Sequence, residues 1–227
     1  MRLYFFLVVF LNCFFSVMAQ TEYTPELDSL YREDQFYVSV TYNSLINLPD
    51  KVSQNSFSTG IHLGVIRDFP INKRRNLALA LGLGYSFNSF NQNIKISSSN
   101  PVTYTILESS NYSKNNFSQH FLELPIEFRW RTSNSKRYKF WRVYSGIRLG
   151  YLLASKSIFE AGSLGESHRN LKGLNSLQYG LSLSVGYNTW NAFIYYGLNP
   201  IFDNASTTNL QPIDMRSLKI GLIFYIL

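Results

Sequence analysis

From Gln35 onward, apolar and polar residues alternate with a period of two. That period marks a β-strand with one greasy face, because successive side chains point to opposite sides. Eight stretches carry it: Gln35–Asn43, Phe57–Asp68, Leu77–Asn91, Phe117–Arg131, Trp141–Lys156, Ser176–Asn188, Asn191–Asn199 and Leu218–Leu227. The third is the clearest. Leu77, Leu79, Leu81, Leu83, Tyr85 and Phe87 share one face, and Ala78, Ala80, Gly82, Gly84, Ser86 and Asn88 the other. Most of the stretches reach the roughly 9–11 residues that a tilted strand needs to cross a bilayer.

The connections alternate in length. Ser44–Ser56, Gln92–Asn116, Ser157–Asn175 and Pro200–Ser217 are long, and Phe69–Asn76, Thr132–Phe140 and Thr189–Trp190 are short. Long loops on one side and short turns on the other characterise outer-membrane barrels. The pattern predicts an all-β fold, an eight-stranded antiparallel up-and-down transmembrane β-barrel with a filled polar lumen. The turns and both termini are expected in the periplasm. The competing architecture is a soluble eight-stranded carrier, with its bulky apolar side chains inside. The second faces of the third, fifth and sixth strands are rich in Gly, Ala and Ser. Such residues suit a cramped interior better than a water-facing surface.

Composition agrees. Charged residues make up 15% of the chain and hydrophobic residues 45%. A soluble domain usually carries about a quarter charged residues, so this chain is short of solvating charge. Leu3–Phe15 is an apolar run after Arg2, and Val17-Met18-Ala19 offers a cleavage site before Gln20. Residues 1–19 read as a secretory signal peptide. Removing them lowers the net charge from +7 to +6 and takes away Cys13, the one cysteine. Residues 20–34 are polar and acidic and read as a periplasmic lead-in, with the barrel over 35–227.

Charge on the strands marks the candidate sites. Glu123, Glu127, Arg129, Arg142 and Arg148 sit on the polar faces of the fourth and fifth strands and read as a structural lumen cluster. As i, i+4 neighbours on a strand, Glu123 and Glu127 are placed about 13 Å apart at ~3.3 Å per residue. That is too far for a glycosidase carboxylate pair. Lys73, Arg74, Arg75, Lys136, Arg137 and Lys139 make two short connections basic, as candidate contacts for a periplasmic partner or anionic headgroups. Tyr85, Phe87, Trp130, Trp141, Tyr151, Tyr187 and Trp190 gather near strand ends, where aromatic girdles lie. Lys219, Gly221, Phe224 and Ile226 resemble the C-terminal signal read by the barrel assembly machinery.

Little here looks like an enzyme. His62, His120 and His168 have no ligand spacing, and no G-x-S-x-G nucleophile setting occurs. No catalytic, metal or cofactor-binding residues are assigned, no cofactor is expected, and the protein is read as not an enzyme. Neither nucleic acid nor a small-molecule substrate is expected; outer-membrane lipid and the assembly machinery are the partners. Eight strands leave room for side chains and not for a channel.

Several runs resemble the PorT-like family of small outer-membrane barrels. They include Tyr31–Tyr37, Val65–Asn76, Leu122–Arg131, Tyr138–Arg142, Gly186–Asn191, Tyr195–Phe202 and Gly221–Leu227. The Arg67–Arg75 turn and the Tyr196–Phe202 run are the more specific of these. The resemblance implies a non-enzymatic accessory or assembly factor of the type IX secretion system, linked in gliding bacteria to motility, with secretion components as further partners. It brings no catalytic or cofactor residues. Without it, the reading stops at a small outer-membrane barrel that supports the envelope or makes ligand or adhesive contacts through its long loops.

Overall fold

The structure, a computed structural model, describes residues 34–97, 102–132 and 140–226. Its strands are β1 (Asp34–Ile46), β2 (Thr59–Pro70), β3 (Leu77–Asn91), β4 (Ile94–Ser97), β5 (Thr103–Ile106), β6 (Lys114–Arg131), β7 (Trp141–Ala161), β8 (Leu164–Arg169), β9 (Leu177–Tyr187), β10 (Trp190–Gly197) and β11 (Arg216–Ile226). The signal peptide and the lead-in up to residue 33 lie outside the described residues. Asp34, placed in the lead-in by the sequence, opens β1.

Eight of these strands close a ring in the order β1, β2, β3, β6, β7, β9, β10, β11. All neighbours are antiparallel. β11 returns to β1 over a continuous register from Phe36↔Ile226 to Ile46↔Arg216. Closure removes the sheet edge that an open array would expose. The predicted fold class, a closed eight-stranded antiparallel barrel, is therefore borne out.

The greasy face points out. Val38, Leu63, Leu79, Leu81, Leu83, Ile147, Leu181 and Leu183 are exposed, whereas Ala78, Ala80, Ser86 and Asn88 are buried. This is the reverse of a soluble carrier. On β3 the outward row runs from Leu77 to Phe87. About ten steps of ~3.4 Å on a strand tilted by ~40° give a height of about 25 Å, that of the apolar band of an outer-membrane barrel. Aromatic pairs flank the band: Trp141–Tyr187 and Trp190–Phe224 at the turn end, Tyr42–Phe57 and Phe87–His120 at the loop end.

Two irregularities interrupt the ladders. His120 pairs with Ala154 and Phe121 with Leu152, so Leu153 is an extra residue on β7. Such a bulge reverses facing along its strand. Below it Arg142, Tyr144 and Arg148 point inward; above it Ser155, Ser157 and Phe159 are the buried residues. A period-two count carried from Arg142 through Arg148 puts Ala154 on the inward face, because it runs straight through the bulge. On β6, Pro125 lacks an N–H, and the pairing with β3 lapses between Leu81↔Ile126 and Gly84↔Glu123. Gly82 leaves space there: a Cβ on it would come within 2.9 Å of the Pro125 ring.

The long connections differ most from expectation. Read as long loops, they contain β4, β5, β8 and an extended β7, and they bury an apolar core. Phe90 stacks on Phe117 at 5.0 Å, Phe117 meets Phe202 at 5.8 Å, and Tyr104 meets Phe202 edge-on at 5.3 Å. Ile94, Ile201, Ile213 and Met215 complete a lid across the loop end of the barrel.

Candidate functional site in the charged lumen

The inward residues of β1, β2, β6, β7, β10 and β11 meet inside the ring. Glycines on the lining strands make room for them. A Cβ on Gly64 or Gly84 would strike the Tyr37 side chain, and one on Gly180 would strike Tyr195. The Tyr37 ring therefore packs against Gly64 of β2 and Gly84 of β3, and the Arg148 guanidinium sits 5.2 Å from its centroid. The small-residue face is thus the recess that admits large polar side chains.

A chain of ion pairs runs down this interior. His62 Nδ1 lies 3.0 Å from Glu123. Arg148 bridges Glu123 at 3.5 Å and Glu127 at 3.0 Å. Arg129 joins Glu127 at 2.9 Å and Asp68 at 2.6 Å, and Arg131 donates to the other Asp68 oxygen at 2.6 Å. Gln35 accepts from Arg129 at 3.1 Å. The chain ends where Arg131 Nε donates to the Arg75 carbonyl at 3.0 Å. Charges removed from water are costly unless paired and hydrogen-bonded, and here each carboxylate serves two partners.

The structure brings Glu123, Glu127, Arg129 and Arg148 together. Arg142 stands apart, with its guanidinium over Phe140 at 4.6 Å. The sequence estimate for the two glutamates needs correction. Their backbone positions are four residues apart, yet both carboxylates converge on Arg148, because side-chain reach shortens the gap. Asp68 and Arg131 were missed, and His62 and Lys219 were not placed in this cluster. Asp68 shares the parity of His62 on β2, and Arg131 that of Arg129 on β6, so extending the alternation to the strand ends would have found both. Lys219, read as part of the assembly signal, is buried in the lumen and lies over Tyr195 at 4.8 Å.

The lumen is filled. A cavity of about 10 Å³ remains beside Glu123, Arg148, Gln178 and Lys219. A larger groove of about 770 Å³ lies on the outer wall. It runs between the cross-strand rows Phe36–Val65–Leu83 and Asp34–Arg67–Leu81, so it is a valley in the lipid-facing surface.

Of the basic turn residues, Lys73 and Arg74 are exposed and Arg75 is half-buried. Arg75 takes a left-handed φ of 53°, its N–H donates to Asn72 O at 2.9 Å, and the Asn72 side chain donates to Asn76. The turn is held at its base by Arg131. Lys136, Arg137 and Lys139 lie outside the described residues. In the C-terminal strand Phe224 packs against Trp190 at 5.4 Å, Ile226 is exposed, and Gly221 lets β11 approach the Thr41 backbone.

A closed ring with an apolar outer belt, paired aromatic girdles and a polar lumen is an outer-membrane barrel. Residues 18–203 match the family described as "Outer membrane protein beta-barrel domain", and the chain belongs to it. The family sets the barrel in the outer membrane. No curated protein matches the chain in sequence. Among solved structures it is similar to Ail, the attachment invasion locus protein of Yersinia pestis. That likeness has 13% identity, covers 85% of this chain and 98% of that one, and has a TM-score of 0.34. A triple mutant of the Rhodopseudomonas blastica porin is similar at 8% identity, 85% and 99% coverage and a TM-score of 0.21.

Proposed function

We propose that the protein is a non-enzymatic barrel that supports export by the type IX secretion system, as an accessory or assembly factor, with a further part in gliding motility. The turns and both termini face the periplasm in this reading. The observation that carries it is the basic hairpin at Ile71–Asn76. Lys73 and Arg74 project from a turn that Arg131 and Asp68 clamp to the buried ion chain. A clamped turn presents its charge with little loss of freedom on binding, which favours a partner docking there. The resemblance of this same turn to PorT-like proteins supports secretion as the setting.

Deleting the gene from its host is expected to stop export of type IX cargo while other outer-membrane proteins stay at normal levels. Replacing Lys73, Arg74, Arg137 and Lys139 with Gln is expected to give the same defect in a barrel that still inserts. Normal cargo export in both strains would overturn the reading. The folded lid favours a second reading, contact with the surroundings through the loops. In that case shortening the β7–β8 hairpin impairs function and the turn charges do not matter.

A further inference from the structure

At the loop end of the barrel the β7–β8 hairpin sets two cations against each other. Lys156 and Arg169 are register partners across its ladder. Partners point to the same face, where like charges repel. Ser155 and Ser157, on either side of Lys156, are buried, so Lys156 points away from the barrel axis and Arg169 with it. The other face of β8 is turned to the lid: Glu166 takes the ammonium of Lys95, which stands over the buried Phe159. Among the described residues neither Lys156 nor Arg169 forms an ion pair. Four residues on from Lys156, on the same face, Glu160 is taken by Lys114 at 3.5 Å.

The fold holds this repulsive pair in place. Past Arg169 the chain turns inward at Asn170, whose φ is 52°, and Leu171 enters the lid core. The Asn170 N–H donates to Ser155 O at 2.7 Å and the Leu171 N–H to Ser155 Oγ at 2.8 Å. The height of the pair is fixed as well. Two residues below Lys156, Ala154 pairs with His120, which meets Phe87 in the loop-end girdle. Two steps of ~3.4 Å on a strand tilted by ~40° raise Lys156 about 5 Å above that girdle, to the level of lipid headgroups. Ser118 of β6, the other partner of Lys156, brings a hydroxyl to the same row. Leu153 and Ala154 lie beneath it as an apolar footing. Two cations and a hydroxyl above an apolar footing suit an anionic headgroup joined to acyl chains. Arg offers a phosphate a fork of donors, and Lys a point charge. With the loop end outside, the anionic lipid at this height is a phosphorylated glycolipid of the outer leaflet. We infer that Lys156 and Arg169 clamp a phosphate of a lipid A-class glycolipid at the foot of the β7–β8 hairpin. The phosphate supplies the counter-charge that no described residue provides there.

The inference takes only the orientation from the reading above, and cargo export is measured separately, so either can fail without the other. The test uses the full barrel refolded in uncharged detergent and titrated with lipid A, with binding read by native mass spectrometry. Lys156→Gln and Arg169→Gln are each expected to weaken binding about tenfold. Lys51→Gln removes an exposed charge from the β1–β2 connection and is expected to leave binding unchanged. Dephosphorylated lipid A and phosphatidylglycerol are expected to bind the unaltered barrel no better than lipid A binds the doubly substituted one. Arg169→Glu separates recognition from folding, because it turns the repulsive pair into an attractive one. The lipid-free barrel is then expected to unfold at higher urea while lipid A binding is lost. Lipid A binding that survives Arg169→Glu would overturn the inference. So would an equal loss in Lys51→Gln, which means bulk attraction, or equal affinity for the dephosphorylated lipid or phosphatidylglycerol. Displacement of lipid A by millimolar inorganic phosphate would overturn it too, since the site would then be one for the free ion.

Discussion

The two halves of the barrel interior are filled by opposite chemistry. Toward the turns, the strands themselves supply a chain of ions from His62 to Arg131. Toward the loops, Phe90, Phe117, Phe202 and Met215 pack as an apolar lid drawn largely from the connections. The lid is held by area removed from water, a non-directional force that tolerates small rearrangements. The ion chain is held by geometry, and removing one member leaves a buried charge alone. The same closed wall therefore carries one region that should fail all at once and another that should loosen locally.

Glu127→Gln gives the sharpest contrast, since Arg129 and Arg148 share that carboxylate. It is expected to cost about 3–5 kcal/mol of stability, read from urea unfolding of the barrel in lipid vesicles. A loss below about 1 kcal/mol, the scale of a surface pair, would show that the ions contribute little.

Phe202→Ala tests the lid. A comparable loss of about 3–5 kcal/mol is expected, but confined to the loop end. Limited proteolysis should cut the loops while the barrel keeps its folded mobility on unheated gels. Global unfolding instead would erase the distinction between the halves.

Gly84→Ala probes how the wall accommodates the lumen, because the new methyl group meets the Tyr37 hydroxyl. Displacing that ring from Arg148 is expected to cost about 1–3 kcal/mol, visible as a lower unfolding midpoint.

The smallest effect is expected at the β7–β8 hairpin. The Lys95 ammonium donates to Glu166 at 2.7 Å and holds its carboxyl below the usual range. A depressed folded pKa means the tie is complete above the ordinary carboxylate pKa and lost as pH falls through the lowered one. Glu166 is largely solvated, so salt should mask the effect. Hydrogen-exchange protection over Leu164–Arg169, taken relative to the intrinsic rate at each pH, should fall at acid pH and low salt; unchanged protection would remove Lys95 from the account.

The alternation of Leu77 to Phe87 against Ala78 to Asn88 was enough to predict strands, their facing and a membrane barrel. Facing depends on residues two apart, and these are adjacent in the chain. Glu123, Glu127, Arg129 and Arg148 could be assigned to the lumen for the same reason. Their partners could not. Alternation says which side a residue takes, but not which strand lies across the ring. Only register and closure set Asp68 between Arg129 and Arg131, and only the glycine recess lays Tyr37 beneath Arg148. The Leu153 bulge and the lid were invisible for a related reason: the bulge breaks the period, and the lid gathers Ile94, Tyr104, Phe202 and Met215 from segments without any. Local side-chain direction was written in the sequence, whereas long-range pairing was decided by the closed tertiary structure, where distant strands first come within bonding distance.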